Sequence, residues 1–158
     1  MSADLRRRRI ALSPLAFGLA WGAAPAARAA TLPAGKSLRD DLAAALGAGK
    51  PLLVMASLDG CPFCRVVRDS YLAPLLREGA IAVVQLDMQR AHAVTGFDGA
   101  RSTHQEILRA WSVKVAPTVL FFGPGGREVA PRLEGASIPD FYGAYLDERL
   151  RIARRGLG

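Results

Sequence analysis

Cys61-Pro62-Phe63-Cys64 holds both of the chain's cysteines and stands between two stretches of different periodicity. Before it runs Pro51-Leu52-Leu53-Val54-Met55-Ala56-Ser57, a continuous apolar segment of the kind a strand buried on both faces shows. After it, Val66, Val67, Tyr71, Leu72, Leu75 and Leu76 recur at helical spacing. A C-x-x-C at such a strand-to-helix turn reads as a redox-active dithiol. The spacing puts one sulfur at the mouth of a helix and the other one turn inside, close enough to share a disulfide.

Three other readings of the pair explain less. A stapling disulfide across so short a loop removes little unfolded-state entropy, and 158 residues can bury a core without it. A zinc site needs four ligands, of which C-x-x-C supplies half. His92 and His104 would have to lie beside the cysteines to complete it, and their spacing gives no reason for that. A Cys–His hydrolase using either histidine would leave the second cysteine without a role. Dithiol chemistry needs no metal and no bound cofactor.

The N-terminus reads as a targeting segment. Arg6-Arg7-Arg8-Arg9 is a basic start, an uncharged stretch runs from Ile10 to Ala27, and Ala27-Arg28-Ala29 supplies the small residues a signal peptidase reads. Cleavage near Ala29 is expected, leaving one domain over residues 31–158 in a periplasmic, disulfide-permissive compartment. The alternative is an uncleaved membrane anchor, which the short length, Pro14 and Pro25 disfavour. The arginine run fits an ordinary or a twin-arginine export signal. Residues 1–30 hold five of the 21 basic and one of the 14 acidic residues, so the +7 of the whole chain falls to +3 without them. Such a balance calls for no nucleic-acid partner. The arginines at 149, 151, 154 and 155 suit the C-terminal end of a last helix.

Capping and periodicity place the remaining elements. Ser37-Leu38-Arg39-Asp40 opens a helix to about Gly47, and Cys61 to about Glu78 is a second, with a kink expected at Pro74. Ile81–Asp87 is a strand, residues 89–102 read as a long surface loop, and Thr103-His104-Gln105-Glu106 caps a short helix to Trp111. Val119–Phe122 is a strand, Gly123-Pro124-Gly125-Gly126 a hairpin turn, and Glu128–Leu133 the returning strand, at an edge because of Pro131. A final helix spans Ser137 to Arg155. Early βαβ and late ββα elements give an α/β fold, a central sheet with helices on both sides.

With these landmarks the chain resembles the thioredoxin superfamily. The C-x-x-C follows the first long strand, Ala116-Pro117-Thr118 precedes the third, and a hairpin with Gly126 leads to Gly135. The match runs from about Leu38 to Leu150, and within the superfamily it looks most like exported thioredoxins of the SoxW type. The resemblance implies a thioredoxin-like fold with a central mixed sheet. It also implies a cis bond before Pro117 and a substrate groove formed by Pro62, Phe63, Ala116, Pro117 and Gly135. The partners it implies are protein thiol and disulfide clients, and a membrane thiol transporter of the CcdA or DsbD kind as electron donor.

Cys61, at the helix N-cap, is expected to be the nucleophile and Cys64 the buried resolving thiol. Gly60 stands where thioredoxin has tryptophan, and Met55 where it has a buried aspartate. Asp59 is expected to be exposed, its charge opposing a Cys61 thiolate. Pro62 and Phe63 supply no cation. These features point to a thiol:disulfide oxidoreductase on the reductase or isomerase side. The alternative is a binding protein that holds a client in the Cys61, Ala116 and Gly135 groove with little turnover.

Overall fold

Two strands, β1 (Leu52–Ser57) and β5 (Thr118–Gly123), are buried along their entire length, and they form the centre of the sheet. The computed structural model describes residues 31–136 and 139–158. The export segment expected over residues 1–30 lies outside them. In chain order the other elements are α1 (Leu38–Gly47), α2 (Pro62–Val66), a π-helical turn (Val67–Leu72) and α3 (Ala73–Arg77). There follow β2 (Ala82–Asp87), β3 (Ala93–Thr95), β4 (Arg101–Thr103), α4 (His104–Ala110), β6 (Arg127–Glu134) and α5 (Pro139–Arg155). The start expected for the last helix, at Ser137, lies outside the described residues.

The sheet order is β2-β1-β5-β6, with β1 parallel to β2 and antiparallel to β5, and β6 antiparallel to β5. It is the mixed sheet expected. Alternation along β1 and β5 divides the core. Leu53, Met55, Val119 and Phe121 pack with Cys64, Leu72, Tyr142 and Leu146 on one face. Leu52, Val54, Leu120 and Phe122 pack with Leu38, Leu42, Ile107 and Leu108 on the other. Helices therefore cover both faces, as two-sided burial of the central strands requires. β6 is an edge strand, and the register gives it one extra residue between Ala130 and Leu133, opposite Val119 to Phe121. Pro131 sits in that bulge, where a missing N–H costs the ladder least.

Capping follows the sequence. Ser37 Oγ accepts from the Asp40 amide at 3.3 Å, and Thr103 and Glu106 form a reciprocal capping box. Ahead of α1 the chain also runs along the free edge of β2: Gln85 N–H donates to Pro33 O at 2.8 Å and Gly35 N–H to Gln85 O at 3.0 Å.

Two expectations need correction. The irregularity expected at Pro74 lies upstream, as the π-helical turn of Val67–Leu72. Proline cannot donate to the carbonyl four residues back, and widening the preceding turn accommodates that loss. The segment over residues 89–102 is not simply a loop, because β3 and β4 pair within it as a hairpin. Asp98 Oδ1 accepts from Ala100 N–H at 2.9 Å across its turn. Phe97 anchors the hairpin on Trp111 and Phe122, with ring centroids 5.7 and 4.8 Å away. Gly126 makes this anchoring possible. At φ +68° a Cβ there would lie 2.7 Å from the Phe97 ring.

Candidate active site

Cys61 caps α2 with an extended backbone, and Pro62 begins the helix, where a missing N–H is harmless. The Cys64 amide donates to Cys61 Sγ at 3.1 Å, one of the donors a helix start leaves without an intrahelical partner. Cys61 and Cys64 are disulfide-bonded, with Cα atoms 5.3 Å apart. Their environments differ. Cys64 is 1% exposed within the core, whereas Cys61 is half-buried at its margin.

Pro62 and Phe63 are exposed beside the pair, Phe63 at 55%. The Ala116–Pro117 peptide is cis. Thr118 Oγ1 donates to Val115 O at 2.7 Å within the segment leading into β5. Gly135 N–H donates to Pro117 O, also at 2.7 Å, which ties the loop before β5 to the loop after β6. Ala116 and Cys61 pack on the same buried cluster that contains Cys64. Met55 is fully buried in that cluster and is flanked in the sheet by Gln85 and Val119. No carboxylate occupies that position.

Asp59 corrects one expectation. Its side chain is exposed, but Arg90 clamps the carboxylate through Nη2 and through Nε at 3.1 Å. The hydrogen bond and charge of Arg90 hold the Asp59 pKa below its ordinary 3.8. Its charge is therefore paired rather than free to oppose Cys61. The two residues are 31 apart in sequence, and no local pattern joins them.

The sequence reading missed the cations beside Cys61. Arg65 and Arg68 line a recess next to it, together with Ser57 and Gln85. Arg65 could have been found, since it follows Cys61 by four residues on one helix face. Arg68 donates to Asp69 at 3.1 Å and to Gln85 Oε1 at 3.4 Å.

The histidines serve elsewhere. Buried His104 accepts from the Asp87 amide through Nδ1 at 3.1 Å and donates from Nε2 to Gly35 O at 2.8 Å. With both ring nitrogens engaged, it has none to offer a metal. Burial holds its pKa below the ordinary 6.5. His92 stacks edge-on against it, with centroids 5.4 Å apart. Among the described residues no group of three or more His, Cys, Asp or Glu could hold a metal ion.

A family model of the thioredoxin-like domain matches residues 38–149, most of the chain. The chain belongs to the thioredoxin-like family. Among solved structures, a thioredoxin from Thermus thermophilus is 22% identical with a TM-score of 0.52, over 80% of this chain and 91% of that one. The DsbH oxidoreductase is 18% identical, also with a TM-score of 0.52, over 80% and 88%. At these identities both show a shared fold. No curated protein sequence gives a significant match. Thioredoxin-like proteins act on protein thiols and disulfides, and the Cys61–Cys64 pair makes this member a thiol:disulfide oxidoreductase. Among the described residues no helix is long and apolar enough to cross a membrane.

Proposed function

We propose that this thioredoxin-like protein is exported and works on the reducing side of thiol–disulfide exchange, with Cys61 as nucleophile and Cys64 as resolving thiol. The observation that carries the assignment is the contrast in burial: Cys61 reaches solvent while Cys64 is 1% exposed. The Cys61 thiolate attacks one sulfur of a client disulfide, forms a mixed disulfide and expels the other sulfur as thiolate. Cys64, on losing its proton, attacks Cys61 Sγ, closes the Cys61–Cys64 bond and releases the second client sulfur. The client gains two electrons and two protons. Pro62, Phe63, Ala116, Pro117 and Gly135 form the groove that receives the client chain.

Charge around the dithiol is too weak to reverse the direction. Asp59 pairs with Arg90 and Arg68 with Asp69, so among the described residues lining the recess Arg65 is the unpaired cation. An exposed charge contributes about 0.2–1 kcal/mol. Thioredoxin at about −270 mV and a strong oxidant at about −120 mV differ by about 7 kcal/mol. One arginine does not bridge that gap.

Export rests on the N-terminal pattern, with cleavage near Ala29 releasing residues 31–158 to the periplasm. The finer likeness is to thioredoxins of the SoxW type, and a membrane thiol transporter of the CcdA or DsbD kind would re-reduce the pair. A glutathione titration of the dithiol tests the direction. A potential near thioredoxin's is expected, and one near −120 mV would place the protein among the oxidants.

A further inference from the structure

Cys61 opens onto a recess of about 180 Å³ with predominantly polar walls. Ser57 and Gln85 come to it from the neighbouring strands β1 and β2, and Arg65 and Arg68 from the helical segment that follows Cys61. Donors outnumber acceptors. Ser57 is 2% exposed, and its hydroxyl has no hydrogen-bond partner among the described residues. Gln85 spends its amide oxygen on Arg68 Nη1, which leaves its NH₂ group unused. The Arg65 guanidinium likewise has no partner among the described residues. The one carboxylate at the rim, Asp59, is held by Arg90.

A recess with a buried hydroxyl, a free amide NH₂ and an unpaired guanidinium is complementary to a planar anion of carboxylate size. Because Cys61 forms part of its wall, any group bound there lies next to the sulfur undergoing exchange. We propose that the recess receives a carboxylate carried close to the reacting sulfur of the substrate, and that Arg65 sets this preference. Arg65 is the natural determinant because Arg68 is already committed to Asp69 and Gln85. The carboxylate comes from an acidic residue beside the client cysteine or from a free thiol such as glutathione. The inference rests on Cys61 as the exchanging sulfur and adds a substrate class to that reading.

The test uses the reduced protein and single-cysteine peptides presented as mixed disulfides with 2-thiopyridine, whose release is followed by absorbance. The residue next to the peptide cysteine is Glu or Gln. The Glu peptide is expected to react about three- to tenfold faster at low ionic strength, the range for a partly exposed charge-assisted contact, with the preference shrinking as salt rises. Arg65→Gln should bring the Glu-to-Gln ratio close to one, and Arg65→Lys should retain part of it. The ratio isolates recognition, since any effect of Arg65 on Cys61 reactivity acts on both peptides alike. A second arm compares glutathione disulfide with its fully esterified form. An Arg65-dependent preference in the peptide arm assigns the carboxylate to the client, and one confined to the glutathione arm assigns it to the free thiol. An equal ratio in wild type and Arg65→Gln in both arms overturns the proposal. No reaction with any substrate overturns the exchange reading itself, and this inference with it.

Discussion

The backbone N–H of Cys64 points at Cys61 Sγ from 3.1 Å, so the buried member of the pair donates to the sulfur of the accessible one. On reduction this donor is in place to stabilise a Cys61 thiolate, since a hydrogen bond to the charged form favours it. Because the donor belongs to the backbone, replacing the Cys64 side chain leaves it in place.

Trapping follows from that geometry. Cys64→Ser should accumulate mixed disulfides on Cys61, because the first attack survives and the resolving attack is gone. Cys61→Ser should trap none, as Cys64 is 1% exposed. Non-reducing electrophoresis with mass spectrometry of the adducts reads both. Equal trapping by the two variants would overturn the assignment.

Met55→Asp should quicken resolution and weaken the fold. The new carboxylate would be buried in the cluster that contains Cys64, with Gln85 rather than a lysine beside it on β2. Desolvation would raise its pKa, enabling it to take the Cys64 proton near neutral pH. Lost apolar packing and the buried polar group should cost about 2–4 kcal/mol. Stopped-flow reduction of a model disulfide across pH 6–9, run beside a thermal melt, reads both effects. If neither changes, Met55 does not lie beneath the dithiol.

Arg90→Gln should leave the Asp59 carboxylate without its partner next to Cys61. An unpaired negative charge disfavours the thiolate. Alkylation of Cys61 at pH 7 should then slow about two- to threefold, in keeping with an exposed contact. Asp59→Asn combined with Arg90→Gln should restore the rate. A slow double variant would show that the charge of Asp59 is not the cause.

His104 should make stability fall in mild acid. Its folded pKa lies below the ordinary 6.5, so the unfolded chain binds the proton more readily. The contribution is fully present above the unfolded value and is lost as pH drops below it toward the folded one. His104→Gln should cost about 2–4 kcal/mol at pH 7.5, because the Asp87 amide and Gly35 carbonyl lose their partner. Denaturant melts from pH 7.5 to 5 should show the gap between wild type and variant narrowing. A constant gap would mean His104 does not titrate differently on folding.

By itself the sequence determined the order of elements outside residues 89–102, the capped helix starts at Ser37 and Thr103, the edge position of the Pro131 strand, and the dithiol at its turn. Each of these depends on residues a few positions apart, where periodicity, capping and proline chemistry act directly on the local backbone. Only the tertiary structure decided the contacts that tune the site. Asp59 finds Arg90 across 31 residues, Arg68 reaches Gln85 across 17, and His104 bonds to Gly35 across 69. The β3–β4 hairpin was hidden for the same reason, because its polar segment is held by Phe97 packing on Trp111 and Phe122 rather than by a pattern of its own. Such pairings arise when the sheet brings distant strands into register, and the free energy that selects them belongs to the packed core.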